Sequence, residues 1–235
     1  MAPGDRVGRA HQTSMSSRVE AEPERSEAVA EVLGALAYCL LRVFQLSAAA
    51  TAVAPTLALA EAQGDFAVEE LDRYRRLRRR VDAISKHAES VMLRFKRPLD
   101  AFYDSAPTED WLSVQVFQFL GDAIAMDFAG MLAAYIDADS AASVREALGS
   151  RSAHEAFALQ QAREVMAADP EAASRAVKVA GTIVGRALNS LREAVFESDA
   201  LTVVLGGEDE VKRLVMDLLA NHRERLERLG LEDVD

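Results

Sequence analysis

Cysteine occurs once in this chain, at Cys39, so no internal disulfide can form. That excludes a small disulfide-stapled fold and implies a reducing, cytoplasmic setting. Proline (6) and glycine (12) are scarce for 235 residues, which argues against a turn-rich architecture. No stretch alternates apolar and polar residues as a half-buried strand does. Basic residues are in the minority: 27 Lys and Arg face 38 Asp and Glu, a net charge of −11. Such an acidic surface disfavours broad binding to nucleic acid or to an anionic membrane. The first 25 residues hold no apolar segment of the secretory kind, and Met15, before Ser16 and Ser17, is an alternative start to Met1. From Val43 to Ala60 there is no charge, but alanine, Gln45, Ser47, Thr51 and Pro55 make the stretch too weakly apolar for a membrane span. Also missing are a phosphate-cradling glycine loop, a Cys or His cluster with zinc spacing, and an arguable Ser-His-Asp arrangement.

What the chain does have is helical periodicity, and 50% of its residues are apolar, enough for a sizeable core. Residues 1–25 read as a disordered leader ended by Pro23, with Ser26 as the cap of a first helix running to about Thr51. Pro55 breaks the pattern, and Thr56 caps a second helix to about Ser85. A shorter segment from His87 to Tyr103 is expected to kink at Pro98, where an amide donor is missing. Pro107 and Thr108 open a helix to about Ile136 that is apolar round most of its circumference and so belongs at the centre of a bundle. Ser140 to Ala168 and Glu171 to Ser198 follow. Gly206-Gly207 then turns into a last helix, about Glu208 to Leu229. The expected fold is all-α: a helical bundle over residues 26–205 with a C-terminal helix, within 206–235, packed on it.

Several segments keep a common order and spacing: Leu33 to Tyr38, Ala54 to Leu57, Glu70 to Leu77, Leu99 to Phe102 and Asp110 to Leu112. Gly121 to Ala125 with Asp127-Phe128, His154 with Phe157-Ala158, Ala168 to Pro170 and Gly185 to Leu188 complete the set. In these the chain resembles, over residues 28 to 205, bacterial ferritin-like proteins related to the tRNA hydroxylase that acts on a methylthio-isopentenyl adenosine. The resemblance implies a ferritin-like four-helix bundle and a di-iron site of inward carboxylates and histidines. It also implies that the site is degenerate. Glu70, Asp122 and His154 stand at retained ligand positions, while Leu40, Arg73 and Arg151 stand where ligands are expected. Asp127 and Tyr38 are supporting candidates.

Arginine stays protonated and is not a normal metal ligand. Two of the replacements therefore supply fixed positive charge beside buried acids that need it. The resulting expectation is a non-catalytic bundle, a pseudoenzyme with no cofactor, whose Arg73 and Arg151 pair with Glu70, Asp122 or Asp127. One alternative is an iron-dependent tRNA-hydroxylase-like oxygenase with an altered centre of Glu70, Asp122 and His154. Another is a binder of small anionic ligands that uses the vacated pocket. Read without the resemblance, Glu70 and Arg73 are an ordinary i, i+3 surface pair, and His154 is a satisfied helix histidine. Asp122 is the most telling residue, because an acid in so apolar a helix is costly unless paired. The run Arg75, Arg76, Arg78, Arg79 and Arg80 reads as a solvated face meeting nearby acids, with RNA as the secondary reading. The final Arg223-Glu224-Arg225-Leu226-Glu227-Arg228 stretch suits a homodimer contact. No membrane partner is expected, and the sequence names no protein partner.

Overall fold

The computed structural model describes residues 7–149 and 151–231, with side chains from Pro23 onward. The helices are α1 (Val7–Ala50), α2 (Leu57–Ile84), α3 (Ala88–Arg94), α4 (Lys96–Tyr103), α5 (Trp111–Leu132), α6 (Ala138–Leu148), α7 (Ser152–Ala168), α8 (Pro170–Glu197), α9 (Ala200–Leu205) and α10 (Glu208–Leu229). A 3-10 turn, Thr51–Val53, joins α1 to α2, and no strand is found among the described residues. The all-α expectation therefore holds.

Local chemistry explains most boundaries. Thr56 accepts a hydrogen bond from the Leu59 amide at 3.3 Å and caps α2. Asp169 caps α8 through the Glu171 amide at 2.9 Å, with Pro170 in the first turn, where its missing donor is harmless. Gly206 closes α9 at φ 90°, in the left-handed region open to glycine.

Other boundaries differ from the sequence expectation, each for a physical reason. Helix α1 begins at Val7 and runs through Pro23, so Ser26 is interior rather than a cap and the 1–25 leader is helical over its described part. Arg25 holds this entry region in place, donating to the carbonyls of Tyr135 (2.7 Å) and Val203 (3.1 Å). The break between α3 and α4 falls at Phe95, not Pro98, because Pro98 lies in the first turn of α4, where no amide donor is needed. Asp110, not Thr108, caps α5, accepting from the Ser113 amide at 3.1 Å. The expected Ser140–Ala168 helix is two helices, interrupted after Leu148 at Gly149.

Helix α5 is the hub, touching α1, α6, α7, α8 and α10, and every residue from Trp111 to Ala123 is buried. Helices α1 and α2 form an extensively packed pair. Gly34 permits the crossing of α1 and α3: a Cβ there would lie 2.9 Å from the backbone carbon of Val91. Two apolar clusters make up the core. One gathers Leu33, Leu36, Leu40, Leu77, Met126 and Leu132; the other gathers Val43, Phe102, Phe117, Leu120, Ala162 and Ile183. On α5, Asp122 falls between Leu120 of one cluster and Met126 of the other, so a polar layer divides the core. The segment Pro23–Val53 is long and apolar enough to cross a membrane, but 56% of its most apolar window is buried against the bundle.

Candidate functional site

Four helices bring the sequence-selected residues to this polar layer. The buried face of α2 steps through Gln63, Ala67, Glu70, Arg73, Leu77 and Val81, a helical stripe pointing inward. Asp122 comes from α5. His154 is in the first turn of α7, and Arg151 sits at that helix's N-cap position. Leu40 of α1 is apolar and 2% exposed.

Glu70 Oε1 is the meeting point. Arg73 Nη1 donates to it at 2.6 Å, Arg151 Nη1 is 3.4 Å away and His154 Nδ1 is 3.3 Å away. A second Arg73 nitrogen reaches the half-exposed Glu69 at 3.1 Å. Glu70 and Asp122 are fully buried, and His154 and Arg73 nearly so. The His154 ring stacks on Phe66 with centroids 4.6 Å apart, and Phe157 packs on Phe66 and Trp111. Glu70 Oε2, both Asp122 carboxylate oxygens and His154 Nε2 have no hydrogen-bond partner among the described residues.

The electrostatics separate the two acids. Burial opposes charge on Glu70, but Arg151, His154 and Arg73 together outweigh it and hold its carboxyl below the ordinary value. Burial pushes Asp122 up to about 7; Arg151 opposes the rise and Glu70 adds to it. Burial lowers the His154 imidazole, against the attraction of Glu70 and with the help of Arg151 and Arg73. The layer thus holds one firmly ionised carboxylate between two guanidiniums, one acid poised near neutrality and one neutral imidazole.

Two supporting candidates lie elsewhere. The Tyr38 hydroxyl donates to Asp100 Oδ1 at 2.7 Å, in an α1–α4 network that includes Arg42. Asp127 accepts both guanidinium nitrogens of Arg225 on α10, at 2.5 and 2.9 Å, and Asn221 at 3.1 Å. Among the described residues the ion-pair partner of Asp127 is Arg225 rather than Arg73 or Arg151, because that carboxylate points one helix face away from Asp122. The basic run on α2 meets acids: Arg75 with Asp72 at 3.1 Å, Arg78 with Asp82 at 3.0 Å and Arg80 with Asp137 at 2.9 Å. Sequence reasoning missed the buried glutamine hydrogen bonds, Gln115 to the Gln63 amide oxygen at 3.0 Å and Gln118 to the Ser47 hydroxyl at 3.3 Å. Glutamines inside the apolar α5 were the available signal.

These residues do not fit a di-iron centre. Among the described residues no group of three or more His, Cys, Asp or Glu side chains is placed to hold a metal ion. Leu40 offers no donor atom, and two cations already crowd the Glu70 oxygen where a metal would repel them.

A helical bundle with acids and a histidine turned inward from facing helices is a ferritin-like architecture. A family model described as a ferritin-like domain of actinomycetes matches residues 23–208. The chain belongs to that ferritin-like family. A comparison with curated proteins gives no match.

Proposed function

We propose that this is a non-catalytic ferritin-like protein, related to the tRNA hydroxylases, in which Arg73 and Arg151 supply the positive charge that metal supplies in a di-iron relative. The observation that carries this reading is the sharing of one Glu70 oxygen by two guanidiniums at 2.6 and 3.4 Å. A bundle that neutralises its buried Glu70 with its own side chains needs no ion there to fold, and it keeps a rigid scaffold free to serve as an intracellular interaction or regulatory module. In this reading the ionic layer replaces ligands with counter-ions at 73 and 151 and with packing at 40.

The test is elemental analysis of protein expressed in iron-rich medium. Iron and manganese well below one per chain are expected; a stoichiometric metal would refute the proposal. Changing Leu40→Glu, Arg73→His and Arg151→Asp together should restore iron uptake if the scaffold is otherwise intact.

A second reading, a single-metal oxygenase, rests on Glu70 Oε2, the Asp122 oxygens and His154 Nε2 being free of hydrogen bonds, against the finding that these side chains are not placed as a set to hold an ion. The same measurement separates the two, because only the second reading expects bound metal in the unaltered chain.

A further inference from the structure

A polar pocket opens beside the ionic layer, between α5, the α6–α7 junction and α10. Its volume is about 110 Å³. Asp127 of α5, Arg151 and Glu155 at the start of α7, and Arg225 of α10 are its charged wall. Most of that wall is already paired. Asp127 accepts from both terminal nitrogens of Arg225, and Glu155 accepts from Arg228 at 2.7 Å.

Arg151 is different. Its guanidinium makes no hydrogen bond among the described residues; Glu70 Oε1, 3.4 Å from Nη1, is an ion-pair partner only. Nη1 is sealed from solvent on that side. Nε and Nη2 also lack a partner but are not sealed, and the side chain, 11% exposed, lines the pocket. A guanidinium taken largely out of water without hydrogen bonds is costly. Its planar fork of N–H donors matches two oxygens of a carboxylate or phosphate. An oxyanion in the pocket therefore supplies what Arg151 lacks.

The same wall restricts which oxyanion fits. Asp127 and Glu155 are partly exposed carboxylates, so a bare anion placed beside Arg151 meets like charge. Each carboxylate oxygen keeps a lone pair after its arginine contact and can accept once more. An oxyanion with its own O–H turns that repulsion into a hydrogen bond. We propose that this pocket binds a small oxyanion that carries a hydroxyl, hydrogen phosphate or a short hydroxy acid, with its charged oxygens on Arg151 and its hydroxyl donating to Asp127 or Glu155. Neither Arg151 nor these two acids is a retained ligand position, so the metal test leaves this proposal untouched.

The test titrates the full chain at neutral pH with phosphate, sulfate, lactate and propionate. Phosphate keeps a proton at this pH and sulfate does not; lactate has the hydroxyl that propionate lacks. Binding is read by calorimetry and by the Arg151 Nε–H resonance. Phosphate or lactate should saturate with a Kd of about 1 mM or tighter, and its counterpart without the hydroxyl should bind about tenfold more weakly, the value of one hydrogen bond. Whichever of the two saturates identifies the source of the oxyanion. Glu155→Gln removes a like charge and should narrow the gap between the two members of that pair. Arg151→Gln should abolish binding. If that variant fails to fold for want of the Glu70 contact, Leu148→Trp fills the pocket from α6, keeps Arg151 and should abolish binding too. Failure of both phosphate and lactate to saturate would overturn the proposal, as would binding retained in a folded Arg151→Gln or Leu148→Trp chain. Equal affinity for the members of each pair would overturn the role of the hydroxyl.

Discussion

Asp122 and Glu70 are both fully buried, yet their surroundings drive them apart, and this difference is measurable. The Asp122 carboxyl titrates near 3.9 in an unfolded chain but at about 7 in the folded one, so the folded state holds a proton that the unfolded state has lost. Its contribution therefore favours folding at low pH and is lost as pH rises from about 4 to 7, a penalty on the order of 3–4 kcal/mol. Glu70 acts with the opposite sign, because its lowered value stabilises the fold above the ordinary carboxylate range and that help fades on acidification. Asp122→Asn should therefore be more stable than the unaltered chain at pH 8, with a shallower loss of stability between pH 4 and 7. Urea denaturation across that range checks this, and an Asn variant with the same pH slope would contradict it. Arg73→Leu leaves Glu70 with a weaker set of partners and should destabilise by about 3 kcal/mol. Glu70→Leu combined with Arg73→Leu should recover only part of that loss, since Arg151 then loses its Glu70 partner. The sequence alone leaves open whether Glu70 and Arg73 pair on the surface or inside; the buried stripe of α2 decides it.

At the scale of elements, caps and crossings are the vulnerable points. Thr56→Ala removes the bond to the Leu59 amide and should cost about 1 kcal/mol, seen as a lower urea midpoint. Gly34→Ala sets two effects against each other. Alanine favours a helix by up to about 1 kcal/mol, but its Cβ would lie 2.9 Å from Val91 backbone, which cannot rotate away. The clash should win, lowering Tm and loosening α3 in hydrogen exchange. Helix existence was legible from periodicity, and the Thr56 cap and the Gly206-Gly207 turn were legible from local chemistry. Pro23 and Pro98 were misleading. A proline disrupts only where its donor is needed, and that depends on which turn of which helix it occupies, a fact not visible until the flanking elements are in place.

For the whole molecule, the division of the core by a polar layer and the apolar cavity beside it are the two departures from a simple packed bundle. The half-open pocket between α1, α4, α5 and α8, with Ala187 in its wall, leaves apolar wall uncovered that a larger side chain would bury. Ala187→Leu should therefore raise Tm, and a fall in Tm would mean that the wall is already close-packed. The acids and cations of the candidate layer were legible because they align with a family pattern, and their meeting at Glu70 needs α2 and α7 to converge. The amide pairs of Gln63 and Gln115 and the separation of Asp127 toward Arg225 were not legible, since each depends on a contact between residues dozens of positions apart.

Composition and period determined that this chain forms long helices with one of them central, because those signals are local: proline and glycine are few, and apolar residues recur at helical spacing. Tertiary structure alone decided which charges share an oxygen and where the packing leaves space. Both depend on the approach of helices far apart in the chain, and a shift of a few tenths of an ångström in that approach changes which atoms meet.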